Sequence, residues 1–275
     1  MATIMIKNLP WHTKLVLALL AFMPLYFAVA ALGTKFGIWG WMTGLLALTL
    51  GGGVILLGIT GVAALVSLII AARAKPRSNG LLATAILGLL VPGVAFVLFM
   101  AAGSKAADNP IHDISTDTGN PPAFSAETLA AREAAGANPL ADYQTPLGKI
   151  EVFKEGIPPE LAVKSHAQII TDRKDRPAPL PLGGASKEEG VAAVAAAMAQ
   201  MGLTDIRKDE AAGTVEGVAE TFWFGFKDDV VARIGEQQID FRSVSRVGQS
   251  DLGANTARIV ELRQRTETLL GAASR

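Results

Sequence analysis

No aspartate or glutamate occurs in the first 107 residues of this chain. A stretch that long without an acid cannot be the outside of a water-soluble domain, whose exposed face carries charge of both signs. Within it lie three uncharged runs, 15–32, 42–72 and 81–103, of 18, 31 and 23 residues. At ~1.5 Å rise per residue a helix of about 20 residues crosses the roughly 30 Å hydrocarbon core, so the first run is just long enough. Three transmembrane helices are expected, at about 15–33, 42–72 and 79–103.

Each run has its own irregularity. Pro24 falls in the middle of the first and should bend it. Ala28-Val29-Ala30 resembles a signal-peptidase site. The run exceeds the roughly 7–15 residues of a signal-peptide core, so an uncleaved anchor is expected. A straight helix over 42–72 would overshoot the bilayer. It must start in the interface, where Trp39 and Trp41 favour it, or tilt, or break near Gly51-Gly52-Gly53. The third run carries Pro92 and Gly93. Glycine pairs, Gly40 with Gly44 and Gly58 with Gly61, let helices approach closely in lipid. They serve either the packing of the three helices on one another, or a dimer interface or partner groove.

The basic residues set an orientation. Lys7 and Lys14 precede the first run, Arg73, Lys75 and Arg77 lie between the second and third, and Lys35 and Lys105 fall on the opposite side. By the positive-inside rule the N-terminal tail is cytoplasmic and everything after residue 105 is periplasmic, from a multi-pass protein of the inner membrane. The chain as a whole is neutral, so the residues after 107 carry a formal −7 against +7 before them. A mildly acidic second half argues against a nucleic-acid partner, which needs a basic surface. With no cysteine in the chain, disulfides, thiol nucleophiles and cysteine-ligated metals are excluded.

Ten of the fourteen prolines lie between Pro110 and Pro181. Residues 106–185 are therefore expected to be mostly extended, with short helical pieces such as 126–135. Ile111, Phe124, Tyr143, Val152, Phe153, Ile169 and Ile170 in this stretch need burial, so it reads as a wrap across a compact core formed by 186–275. Ser186 and Glu189 make a capping box, Val191, Val194, Met198 and Met201 an apolar stripe, and Gly202 a helix stop. Strands are predicted at 203–208, 214–224, 229–234 and 239–247. A last helix is predicted at 251–270, with Leu252, Ile259, Leu262 and Leu269 inward. The expected fold class is a membrane α-helical N-terminal part joined to an α+β soluble domain: two layers, a mostly antiparallel four-stranded sheet with helices.

The densest polar cluster spans 226–255. Strand alternation puts Asp240, Arg242, Val244 and Arg246 on one face, and Ser243 and Ser245 on the other with Ile239 and Phe241. Arg242 and Arg246 project together beside a strand that offers Arg233, which is a forked arrangement suited to a carboxylate or phosphate. The alternative is structural: a ladder to Glu216 and Glu220, or to Asp228 and Asp229. Ser250 or Asp251 is expected to cap the last helix ahead of Asn255, with Gly248 and Gly253 as turn residues. The tight run of Gly248, Ser250 and Asp251 favours a strand-to-helix corner held by a buried network.

Several segments resemble the bacterial and plastid family catalogued as domain of unknown function 1499. They are the run from Asn109 to Asp117, Pro121-Pro122-Ala123-Phe124, the run from Asp228 to Arg233, and the run from Arg242 to Gly253. The resemblance covers roughly 107–270. It implies the domain and no reaction. Other chemistries find little support: His12, His112 and His166 are scattered, so no metal site or cofactor is expected, and Asp108, Asp113 and Asp117 lack calcium-loop spacing. Gly248 to Leu252 lacks the second glycine of a nucleophile elbow, and there is no phosphate loop. His112 with Asp113 is a secondary candidate, as half of an acid–base pair or as a loop hydrogen-bond partner. Three readings follow: a membrane-anchored binding or accessory module, a structural subunit of a larger membrane assembly, and a hydrolase-like enzyme. The expected partners are the lipid bilayer and a membrane protein or a second copy of the chain.

Overall fold

The computed structural model describes residues 9–154 and 157–273, so Lys7 in the charge count above lies outside the described residues. The chain forms two compact units: Met1–Ser104 with Phe222–Gly225, and Lys105–Thr221 with Phe226–Arg275.

In the first unit the apolar runs are three helices long and apolar enough to cross a membrane. Helix α1 (Trp11–Lys35) runs through Pro24. The second run changes winding at its glycine triplet: Met42–Gly52 is π-helical, and α2 (Gly53–Arg73) continues as an α-helix. Helix α3 (Asn79–Asp108) contains Pro92. Met23, Leu56 and Leu57 form the buried centre, against which Phe27 and Phe99 pack. Small residues set the close approaches. A Cβ on Gly88 would come within 2.5 Å of Val16 and 2.8 Å of Ala64, and one on Gly44 would strike the Thr34 side chain. Gly58 and Gly61 have nothing within 4 Å, so the glycines divide between internal packing and an open side of α2. A buried polar link joins α1 to α2, His12 Nδ1 to Ser67 Oγ at 2.8 Å.

The second unit is built on an antiparallel sheet of six strands in the order β1-β6-β5-β4-β3, with β2 also on β6. The expected central strands are β3 (Thr204–Asp209), β4 (Thr214–Glu220), β5 (Lys227–Ile234) and β6 (Gln238–Ser245). Two further strands correct the expected count of four. β1 (Asp113–Ser115) and β2 (Leu180–Pro181) come from the proline-rich stretch and lie end to end along β6. Without them β6, buried along nearly its whole length, would present an unpaired edge.

One face of the sheet is apolar. Ile239, Phe241, Val230, Ala232, Ile234 and Val215 pack against α6 (Lys187–Gln200) and α7 (Ala254–Ala273). Helix α6 starts with the Ser186–Glu189 capping box, and Gly202 after its end has φ +76°. The wrap contributes to the same core through Ile111, Tyr143, Leu147, Phe153 and Ile170. It has a second capping box, Ser165 with Gln168, that starts α5 (His166–Asp172).

The last helix begins later than expected. The Asp251 carboxylate accepts from the backbone N–H of Gly253 and of Asn255, both at 2.8 Å. That turn puts Leu252 at φ +56° and leaves it 42% exposed, not inward. Ile259 and Leu262 are fully buried as expected.

The opposite face of the sheet is polar and is covered by residues 116–145, including α4 (Ala126–Ala134). Phe124 is packed on Val231 and Val244, with Leu140 beside them. This cover is what turns a solvated charged face into a buried one.

Candidate functional site

Alternation along β6 places Asp240, Arg242 and Val244 on the covered face, and the β5 register adds Asp229, Val231 and Arg233. The three arginines do not converge on a shared opening. Each takes its own carboxylate.

Arg242 is paired with Asp113 in a two-pronged bridge, Nε to Oδ1 at 3.0 Å and Nη2 to Oδ2 at 2.7 Å. Asp113 is fully buried and Arg242 is 5% exposed. Nη1 donates to the Pro122 carbonyl at 3.2 Å, and the guanidinium lies over the rings of Tyr143 and Phe124, 5.2 and 5.6 Å from their centroids. The Tyr143 hydroxyl donates to Asp113 Oδ1 at 2.5 Å. Burial alone would raise the Asp113 carboxyl, but the charge and hydrogen bonds of Arg242 and the bond from Tyr143 outweigh it and hold it low. Burial, then the Asp113 charge, push the Tyr143 phenol well up. This is a fixed ion pair with a neutral phenol.

Asp229, also fully buried, is held by two arginines. Arg246 contacts it at 3.0 and 2.6 Å and Arg132 of α4 at 2.6 Å. Arg132 also donates to the Asn138 carbonyl at 2.7 Å, which clamps the end of α4 to the sheet. Arg233 bridges Asp117 at 3.0 Å and Asp240 at 3.1 Å. Glu216 accepts from Ser125 Oγ at 2.7 Å and pairs with Arg207 at 3.2 Å.

The other sequence candidates form a second cluster where β6 meets α7. Asp228 takes Arg258 at 2.7 Å. Ser243 Oγ donates to Asn255 Oδ1 at 2.6 Å, and Asn255 Nδ2 donates to the His112 carbonyl and to Ser245 Oγ at 2.9 and 3.0 Å. Ser250 Oγ accepts from Leu252 N at 3.1 Å, so it shapes the turn while Asp251 caps the helix. Burial raises the Asp251 carboxyl.

Sequence reading missed Arg132 and Arg258 as members of these clusters. A weak signal existed. Thr128 and Arg132 are four apart on a short helix and both buried, a polar pair where an apolar stripe is usual.

His112 and Asp113 part company, because neighbours on a strand point to opposite faces. His112 turns into the apolar core beside Phe153 and His166, with the two imidazole centroids 6.2 Å apart. Both rings are buried, and neither nitrogen of either ring completes a hydrogen bond. Burial outweighs the Asp113 charge, which alone would raise His112, and the smaller opposing effect of the Gln249 and Pro139 carbonyls. Burial lowers both, His166 to about 4, so both are neutral near pH 7. Among the described residues no cluster of three or more His, Asp or Glu is arranged to hold a metal ion.

A family model described as "Protein of unknown function (DUF1499)" matches residues 113–265, more than half of the chain. The match begins at Asp113 and takes in both charge clusters. No curated protein and no solved structure matches the chain.

Proposed function

The chain belongs to the DUF1499 family of proteins of unknown function, and from that premise we propose that it is a membrane-anchored binding or accessory module. In this reading α1–α3 sit in the inner membrane and the sheet unit works on the periplasmic side. The observation that carries it is the closure of the charge network. Arg132, Arg207, Arg233, Arg242 and Arg246 are matched by carboxylates of the same chain. Those polar groups hold the wrap on the sheet, and recognition falls to the surface of the unit.

A groove of about 550 Å³ between residues 180–185, α6 and the end of α7 is the concave surface best suited to it. Leu180, Leu182 and Leu270 line it together with Glu189, Arg263 and Glu267. An apolar floor with charges of both signs fits an extended segment of a partner protein.

A second reading, a structural subunit of a larger membrane assembly, is favoured by the open side of α2. Gly58 lies there in a hollow of about 590 Å³ walled by Trp11, Leu15, Ile55, Val62 and Val66. One experiment separates the two. A photo-crosslinking residue is placed at Glu267 or at Val62 in intact membranes. A discrete protein adduct from Glu267 is expected for the binding module. Adducts from Val62 alone would favour the subunit, and none from either position would sink both.

The side of the membrane is tested separately. A reporter fused after Arg275 should be active only outside the cytoplasm, and one inserted at Lys75 only inside. The reverse at both positions would overturn the orientation drawn from loop charge.

A further inference from the structure

We propose that the turn joining β4 to β5 is a second membrane contact, with Phe222 and Trp223 seated at the headgroup level of the bilayer that holds α1–α3. The proposal rests on the reading that those helices cross a bilayer.

The turn is built as a firm tip. Thr221 N donates to the Phe226 carbonyl at 2.9 Å and Phe226 N donates to Thr221 Oγ1 at 2.8 Å. Gly225, at φ +66°, allows the chain to close there. At the end of this tip Phe222 is 73% and Trp223 54% exposed. They pack edge to face, with centroids 5.2 Å apart and planes at 87°. Beyond residue 105 they are the exposed aromatic side chains among the described residues; Phe124, Tyr143, Phe153 and Phe241 are all buried. The other exposed large apolar residues there, Leu129, Val163, Leu252 and Val260, stand singly. Scattered apolar residues need no partner, but a rigid aromatic pair this exposed at a hairpin end is a contact surface.

Two observations choose lipid as its occupant. Trp and Phe carry an apolar body, and the indole N–H adds the polar edge that favours the membrane interface. The chain itself keeps the bilayer close: α3 ends at Asp108 and β1 begins at Asp113. The four residues between span at most ~15 Å. Strands the length of β4 and β5 reach roughly 25 Å. A permanently tethered surface competes at high effective concentration with any freely diffusing partner. Glu220 and Lys227 are register partners at the base of the tip, and the Lys35 ammonium donates to the Phe222 carbonyl at 2.9 Å and lies 5.2 Å from the centre of its ring. The exposed area of the tip is nevertheless aromatic, so insertion should not require anionic lipid.

The absence of cysteine makes the test direct. Phe222→Cys, Ile59→Cys and Glu236→Cys are made separately in the full chain, spin-labelled and reconstituted in phosphatidylcholine vesicles, with and without phosphatidylglycerol. Collision with oxygen is compared with collision with a polar nickel complex. Ile59 is an exposed apolar position on α2 and Glu236 an exposed turn residue. The expected result is an oxygen-to-nickel ratio several-fold higher at 222 than at 236, approaching that at 59, in both vesicle compositions. A ratio at 222 equal to that at 236, with 59 still oxygen-favouring, overturns the tip contact alone. A polar response at 59 as well overturns the membrane reading and the tip with it. Protection of 222 from both probes would mean that protein covers it, which also overturns the proposal. Because Phe222→Cys removes one of the rings, a second variant keeps both: with Trp11, Trp39 and Trp41 changed to Phe, brominated lipid should quench at least half of the Trp223 emission. No quenching counts against the proposal as heavily as a polar label.

Discussion

Replacing Asp113 with Ala is expected to destabilise the sheet unit by about 3–5 kcal/mol, because it leaves the Arg242 guanidinium buried without its counter-charge. The carboxylate is fully buried and accepts from Arg242 through both oxygens, from Tyr143 through one, and from the Ala141 backbone N–H at 3.1 Å. For a unit of this size that loss is a fall of roughly 10 °C in Tm, readable by calorimetry on the purified chain. An exposed control, Glu236→Ala, should cost about 0.5 kcal/mol or less. The paired change Asp113→Leu with Arg242→Met should recover much of the loss, since it removes both charges together. Arg246→Gln should cost less than Asp113→Ala, because Arg132 stays on Asp229. A change within 1 kcal/mol for Asp113→Ala would show that the bridge does not hold the wrap.

Acid should weaken the same unit through the buried histidines. Burial holds His166 at about 4, against an ordinary 6.5, so the folded state refuses a proton that the unfolded chain accepts. Its contribution is complete above pH 6.5 and is lost progressively as pH falls from 6.5 to about 4. Linkage puts the loss at about 3 kcal/mol for His166, and His112, lowered by the same burial, acts in the same direction. Asp113, held low, adds its own loss only below its ordinary 3.8. Asp251 is raised by burial, so protonating it works in the opposite sense. Urea unfolding at pH 7.5 and pH 4.5 should therefore differ by roughly 2–3 kcal/mol more in the original chain than in His166→Leu. An identical fall in both would assign the acid effect to other groups.

The two predictions differ in how far the sequence alone could reach them. Arg242 stood out as a candidate from strand alternation, and so did its shared face with Arg246. The partner did not, because Asp113 lies 129 positions earlier and reaches Arg242 only when β1 pairs with β6. The same holds for Arg132 on Asp229 and for the two histidines, which are 54 residues apart in a chain where nothing local links them. Leu252 shows the opposite failure. Helical periodicity assigned it inward, but the local hydrogen bonds of Asp251 override periodicity over the first turn.

What the sequence determined by itself is whatever depends on contiguous residues. The three apolar helices follow from length and the absence of charge, the helix start at Ser186 from a capping box, and the helix stop at Gly202 and the turn at Gly253 from left-handed backbone. The central strands follow from alternation, and the family from its polar run. These are short-range effects, set within a few residues of each position. The tertiary structure alone decided that the charged face is covered, which carboxylate each arginine takes, that the proline-rich stretch completes the sheet on both halves of β6, and which glycines of the three apolar helices remain open. Those outcomes depend on which surfaces meet. A charge on a strand is solvated or buried according to what lies over it, and for β6 that cover comes from residues about a hundred positions earlier in the chain.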